Sequence, residues 1–423
     1  MSKTTRFSLF VFLGLSTLRG GPLASQVAPE FTLTPAEFPL LMGDAEAEAA
    51  MASPACLAEF EAPPNTRGIP VDAPEGPSSD GTYVVEGVRF ESAGFLINGW
   101  LYLPTEGGPF PLVVLTNGGG NDERAIKSLS NFMAPRLAYC GVAAFVHDKR
   151  GTGASEGVFR DTDYEDYITD TGNAGLFLSS NPRIDPERVG VMGGSEGGRI
   201  AVVAAARYPV FRFVVSLMGP TNSMVEDRLL AEKYAAIGRG LNGVEWEDIE
   251  PIWRGMIESE ATGDPHEVER FDREILEARK RFPSRVLPLV DRASQRGGIH
   301  DRMRPTYASL KYDYVTVMEG FRKPWLAIFG EKDTVVLPEP NIREIHRTTA
   351  LSGNPDVSIF VFPRTGHSPV DIDTRRRVLF ENPILNWMAE RGFLGDILPG
   401  PRLPDLPVGI IPDWVRRWRR PLP

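Results

Sequence analysis

The chain has 423 residues, of which 42% are hydrophobic and 24% charged, a balance typical of a globular protein with a sizeable core. Its 56 acidic and 46 basic side chains give a formal net charge of -10, which disfavours binding to the phosphate backbone of nucleic acids. Such a core needs neither a metal ion nor a disulfide to hold it together.

The N-terminus has the pattern of a signal peptide. Lys3 precedes an apolar run over residues 7–15, which is too short to span a bilayer. Small residues follow at Ala24 and Ala28, where a signal peptidase would cut. We therefore predict a signal peptide over residues 1–28 and an exported protein, periplasmic or secreted. The alternative is a cytoplasmic protein with a disordered N-terminal tail.

Proline-rich stretches flank the central part of the chain. Residues 29–81 are predicted to form a connector, in which only an Ala/Glu tract favours a short helix. Residues 393–423 are predicted to form a proline-rich basic tail. Cys56 lies in the connector, and Cys140 precedes an apolar run, where a free cysteine usually acts as a small buried hydrophobe. A bridge between the two requires export.

Strand-like and helix-like segments alternate between these ends. The strand-like segments are residues 83–92, 96–103, 112–116, 142–147, 189–193, 213–217, 325–329 and 358–362. Helix-like segments include residues 124–139, 164–178, 197–207 and 341–350. This alternation predicts an α/β fold, with a mainly parallel twisted sheet and helices on both faces. The first two strands are predicted to form an antiparallel hairpin.

About a hundred residues after the strand at 213–217 contain no convincing strand and are rich in charged, helix-forming residues. We predict a helical cap insertion over residues 221–320, between two parts of a core domain at residues 82–220 and 321–392. Trp246 and Trp253 within the cap are seven residues apart, a spacing more typical of a helix core than of a substrate pocket. Pro251 between them argues against one continuous helix.

The best candidate for a nucleophile is Ser195, which lies in the sequence Gly-Gly-Ser-Glu-Gly-Gly after an apolar strand. A G-x-S-x-G motif between a strand and a helix holds its serine in a sharp turn, where the hydroxyl is exposed. Side chains at Gly193 or Gly197 would collide with the neighbouring strand and helix. A second copy of the motif contains Ser155, but it follows a turn-rich segment and precedes no apolar helix. We assign Ser155 to a loop.

A serine hydroxyl needs a base to accept its proton, and the chain has five histidines. His147 precedes the nucleophile, against the chain order serine, acid, histidine. His266 and His300 lie in the predicted cap, and His346 lies within a predicted helix. His367 follows the last predicted strand and is therefore the predicted base.

The acid that orients this histidine should follow a strand between the nucleophile and the base. The strand at residues 325–329 is followed by a turn at Gly330 and then by Asp333. Asp333 is the predicted acid because it comes after the turn, and Glu331 is the reserve candidate.

An oxyanion at the attacked carbonyl needs rigid backbone N–H donors. One is predicted to come from Glu196, the residue after the nucleophile, and the other from the glycine-rich loop at residues 117–120. Within that loop we favour Gly119 over Gly118.

These features occur together at residues 117–120, 148–157, 193–198, and 330–333 with 366–367. In them the chain resembles the α/β-hydrolase superfamily, in the branch of bacterial esterases and dienelactone-hydrolase-like or serine-aminopeptidase-like proteins. The resemblance covers roughly residues 82–392. It implies hydrolysis through an acyl-enzyme without a cofactor, and a structural role for residues 148–157 beside the site. One departure is Asn117, where many relatives have histidine.

The sequence therefore predicts a serine hydrolase that cleaves a small-molecule carboxylic ester. Alternatives of the same fold are an acyl-CoA thioesterase, which export would disfavour, and a serine peptidase or aminopeptidase. The non-enzymatic alternative, an inactive binding module, predicts a broken triad position. No H-E-x-x-H motif, nucleotide-binding loop or membrane-spanning stretch is present in the sequence, so we expect no metal, nucleotide or stable membrane insertion.

Overall fold

The computed structural model describes residues 44–57, 75–78, 81–119, 132–238, 240–262, 265–281 and 312–394. The predicted signal peptide lies outside these ranges, as does the predicted tail beyond residue 394. Both stay predictions, and so does the division of the chain into domains.

A nine-stranded sheet runs through the described residues in the order β1-β2-β3-β5-β4-β6-β7-β8-β9. Its strands are β1 Gly76–Pro77, β2 Tyr83–Ser92, β3 Phe95–Pro104, β4 Phe110–Thr116, β5 Ala143–His147, β6 Ile184–Gly194, β7 Phe213–Leu217, β8 Trp325–Gly330 and β9 Val357–Phe362. The strands from β5 to β9 in this order pair in parallel, and β1, β2, β3 and β5 pair antiparallel. The predicted α/β fold with a mainly parallel sheet is confirmed, and so is the hairpin of β2 and β3.

Helices cover both faces of this sheet. The helices of the described residues are α1 Asp44–Met51, α2 Ala134–Tyr139, α3 Tyr164–Ser179, α4 Glu196–Arg207, α5 Met224–Gly238, α6 Gly243–Thr262, α7 Pro265–Arg281, α8 Tyr314–Glu319, α9 Pro338–Ser352 and α10 Glu381–Glu390, and those other than α5, α6 and α7 pack on the sheet. Within β4, Leu112 and Val114 join the apolar cluster that contains α3, α4, α8 and α9. Val113 and Leu115 join the cluster that contains α1, α2 and α10. Successive side chains of a strand point to opposite faces, so the central sheet is buried on both sides.

Helices α5, α6 and α7 lie between β7 and β8, in the predicted cap region, and have an apolar cluster of their own. Trp246 and Trp253 are buried in this cluster, as their helical spacing predicts. The prediction that Pro251 interrupts the helix is wrong, because α6 is continuous through it. Proline removes one helical hydrogen bond, and packing of the apolar face of α6 offsets that loss.

The segment at residues 44–57 packs against the C-terminal part of the domain. Asn386 on α10 donates a hydrogen bond to the carbonyl oxygen of Ala50 at 2.9 Å, which holds α1 in place. Cys56 forms a disulfide with Cys140 across 84 positions of sequence. The prediction of a free Cys140 is therefore wrong, although its side chain is buried. The two sulfur atoms are brought together by packing between distant segments, which cannot be predicted from the local sequence around either cysteine.

Candidate active site

Ser195 lies at the turn between β6 and α4, near the centre of the sheet. Its backbone has φ 55° and ψ -126°, a conformation that non-glycine residues rarely adopt and that marks functional turns. A Cβ atom at Gly193 would overlap the carbonyl oxygen of Gly197 and the hydroxyl of Thr116. A Cβ atom at Gly197 would lie 2.7 Å from the carbonyl oxygen of Thr116. Glycine at both positions therefore lets the strand and the helix approach closely enough to form this turn.

The structure brings the three predicted triad residues together. His367 follows β9, and its Nε2 atom lies 3.0 Å from the Ser195 hydroxyl oxygen. Asp333 follows β8, and its Oδ2 atom lies 2.7 Å from His367 Nδ1. Since the parallel strands β6, β8 and β9 end at the same edge of the sheet, three distant parts of the sequence meet there.

Asp333 is held in one orientation by the backbone. Its side chain is inaccessible to solvent, and its Oδ1 atom accepts hydrogen bonds from the N–H groups of Val335 at 2.8 Å and Val336 at 3.0 Å. The other oxygen therefore faces His367. Because a carboxylate only accepts hydrogen bonds, this contact places the imidazole proton on Nδ1 and leaves Nε2 to accept the serine proton.

The electrostatic surroundings of His367 suit a base. Burial lowers the pKa of His367, whereas the charge of Asp333 and its hydrogen bond raise it, and the pKa is raised overall from 6.5. At His147, by contrast, the effect of burial outweighs that of the neighbouring charges, and the pKa is lowered. Its Nδ1 atom contacts the carbonyl oxygen of Asp148 at 3.1 Å.

The rejected candidates for nucleophile and acid have other contacts. The Ser155 hydroxyl lies in the loop at residues 148–157, where it accepts a hydrogen bond from the N–H of Asn98 at 2.9 Å. The Glu331 carboxylate accepts a hydrogen bond from the N–H of Arg364 at 2.8 Å. Both side chains therefore stabilise loops.

The loop after β4 passes directly beside the nucleophile. A Cβ atom at Gly118 would lie 3.6 Å from the Cβ atom of Ser195. Asn117 is buried, and its amide group donates to the carbonyl oxygen of His147 at 2.8 Å, which ties this loop to the end of β5. The choice of Gly119 over Gly118 as an oxyanion donor stays a prediction, as does the donor role of Glu196.

The loop at residues 148–157 connects several elements to the nucleophile turn. Arg150 binds Asp170 on α3 at 2.7 Å, and both side chains are buried. Lys149 Nζ lies 2.5 Å from Glu196 Oε2, next to the nucleophile. Sequence reasoning missed this second contact, and no local pattern in the sequence marks it.

The described parts of the chain contain no group of three or more His, Cys, Asp and Glu side chains placed to bind a metal ion. In those same parts no helix combines the length and apolar character needed to cross a membrane.

Ser195, Asp333 and His367 follow strands β6, β8 and β9 respectively and meet at one edge of the sheet, in the chain order serine, aspartate, histidine. This order on a mainly parallel sheet is that of the α/β hydrolases, and the chain has that fold. More specifically, it belongs to the S15 family, described as X-Pro dipeptidyl-peptidase, whose family model matches residues 94–342.

Individual relatives are more distant. The chain is 30% identical over 148 residues to a thiohydrolase of Aspergillus aculeatus, covering 34% of this chain and 45% of that protein. It is 29% identical over 157 residues to an uncharacterised protein of Mycobacterium tuberculosis, covering 34% of this chain and 53% of that protein. The chain thus spans about half the length of these curated relatives. An esterase of Pyrococcus furiosus of known structure has 16% identity and a TM-score of 0.47, covering 77% of this chain and 97% of the esterase.

Proposed function

We propose that the chain is a serine hydrolase that cleaves a carboxylic ester through an acyl-enzyme on Ser195. The observation that carries this proposal is the continuous hydrogen-bonded series from Ser195 through His367 to Asp333, with contacts of 3.0 and 2.7 Å. Geometry of this kind activates a serine hydroxyl whose own pKa leaves it a poor nucleophile.

The reaction would proceed in two halves. In the first, the Ser195 oxygen attacks the ester carbonyl while His367 Nε2 takes the hydroxyl proton, and the N–H donors beside Ser195 stabilise the oxyanion. His367 then gives its proton to the alkoxide oxygen as the ester C–O bond breaks, which releases the alcohol. In the second half, water attacks the acyl-enzyme while His367 takes its proton, and the bond from the acyl group to the Ser195 oxygen breaks as His367 returns that proton to Ser195, which releases the carboxylic acid.

The contacts of Glu196 favour an ester over a dipeptide substrate. A dipeptidyl-peptidase acts at a free peptide N-terminus, so its site gains from an anionic group that pairs with the α-ammonium. The carboxylate next to the nucleophile, that of Glu196, is already paired with buried Lys149 at 2.5 Å. This pairing supports a substrate without a charged amine. The thiohydrolase relative motivates the second candidate, a thioester substrate.

The test is to label the purified protein with a fluorophosphonate and map the adduct by peptide mass spectrometry. We expect one adduct, on Ser195, together with faster hydrolysis of p-nitrophenyl esters than of acyl thioesters or Xaa-Pro p-nitroanilides. Faster cleavage of Xaa-Pro anilides would replace the ester proposal by the peptidase alternative. A folded protein that gives neither an adduct nor turnover would favour the non-enzymatic alternative.

We also propose that the protein acts outside the cytoplasm, because disulfides persist in oxidising compartments. The Cys56–Cys140 bond and the signal-peptide pattern support this location. Intact mass of protein isolated from the native cells should show loss of about the first 28 residues and no free thiol. A full-length chain with two titratable thiols in the cytosolic fraction would contradict export.

A further inference from the structure

Glu196 combines two electrostatic effects that oppose each other. As the residue after the nucleophile, it is predicted to donate its backbone N–H to the oxyanion. Its side chain, however, is a carboxylate that is only 12% exposed. An unpaired negative charge on the residue next to the nucleophile would raise the energy of a transition state that develops an oxyanion, and low exposure limits the screening by water. A compensating positive charge would remove the conflict.

Lys149 supplies a charge of this kind. Its side chain is 4% exposed, and its Nζ atom lies 2.5 Å from Glu196 Oε2. The ammonium group also lies 4.7 Å from the centre of the Tyr167 ring, where a cation is attracted to the aromatic face. Tyr167 itself is fixed by a hydrogen bond of 2.9 Å between its hydroxyl and that of Thr162. The lysine is therefore held from two sides.

The backbone around Lys149 adds rigidity. The carbonyl oxygen of Lys149 accepts a hydrogen bond from the Thr152 hydroxyl at 2.8 Å, which closes a turn in the loop directly after the lysine. The Lys149 ammonium group is therefore held in place before the reaction begins. A charge that is already in place can stabilise a transition state without any rearrangement of the protein.

We propose that Lys149 is a positioning residue for catalysis, which neutralises the Glu196 carboxylate and fixes the first turn of α4 with its N–H directed at the oxyanion. This inference rests on the proposed hydrolase mechanism at Ser195. Lys149 does not contact the reacting atoms and acts through Glu196. The resulting effect belongs to the transition state, so it should appear in kcat rather than in KM.

The test uses Lys149→Met, which keeps the unbranched apolar stem and removes the charge. With the p-nitrophenyl ester that the wild type cleaves best, we expect kcat to fall about 10- to 100-fold and KM to change less than about 3-fold. Lys149→Met leaves the Glu196 carboxylate without its paired cation. Adding Glu196→Gln removes that carboxylate, so the double variant should recover to within about 5-fold of the wild-type kcat. Rates are measured per folded protein, well below the unfolding temperature of each variant.

The matched control is Arg150→Met, which removes the neighbouring buried cation of the same loop and leaves the Lys149–Glu196 pair intact. It should lower the unfolding temperature while kcat per folded protein stays close to that of the wild type. The inference is overturned if Lys149→Met keeps its kcat, if the double variant is as slow as the single one, or if Arg150→Met lowers kcat equally. Failure of the wild type to form an acyl-enzyme would instead overturn the mechanism on which the inference rests.

Discussion

Ser195→Ala is expected to lower kcat by about 10⁶-fold and to abolish fluorophosphonate labelling, because removal of a nucleophile ends the covalent pathway. In the wild type, His367 Nε2 lies 3.0 Å from the serine oxygen and accepts its proton; in the variant there is no hydroxyl proton for it to accept. The residue keeps an unusual backbone conformation, with φ 55°, which alanine adopts no more easily than serine. The change therefore removes chemistry and leaves the turn between β6 and α4 under the same steric constraint.

The measurement is the initial rate of ester hydrolysis, with circular dichroism and thermal unfolding to confirm an intact fold. Ser155→Ala is the matched control, since Ser155 carries the second G-x-S-x-G motif and its hydroxyl only stabilises a loop. It should keep wild-type labelling and kcat. Labelling retained by Ser195→Ala, or lost in a folded Ser155→Ala protein, would place the nucleophile elsewhere.

Sequence pattern was sufficient for the parts of this molecule that depend on local geometry. The turn at Ser195 requires glycine at fixed positions, and the continuous apolar run along β4 marks a strand that is buried on both faces. The position of His367 and Asp333 followed from chain order, because the loops after successive parallel strands lie at one edge of the sheet. Strand order itself needs pairing partners, which local pattern does not specify.

Interactions between distant segments of the chain could not be predicted from the local sequence pattern. The disulfide depends on the docking of residues 44–57, far from Cys140 in the chain. The pairing of Lys149 with Glu196 joins a loop to the first residue of α4, 47 positions away, and in the sequence each residue alone resembles an ordinary surface charge. Continuity of α6 through Pro251 depends on tertiary packing, which overrides helix propensity.

Asp333→Asn is expected to lower kcat by about 10⁴-fold with little change in fold. The N–H groups of Val335 and Val336 both donate to Oδ1, so the amide oxygen will occupy that position. The amide nitrogen then faces His367 Nδ1 and donates to it. This contact moves the imidazole proton to Nε2, where it opposes acceptance of the serine proton.

The same change should shift the pH dependence of kcat/KM. In the wild type the base works only when neutral, so activity falls as the pH drops through the pKa of His367, which is raised above 6.5. Asp333→Asn removes the charge that raises this pKa, while burial continues to lower it. The acid limb of the profile should therefore move to lower pH.

Glu331→Gln is the matched control, because Glu331 bonds to the backbone of Arg364 rather than to the histidine. If Glu331→Gln moved the acid limb and Asp333→Asn left it in place, Glu331 would be the acid of the triad.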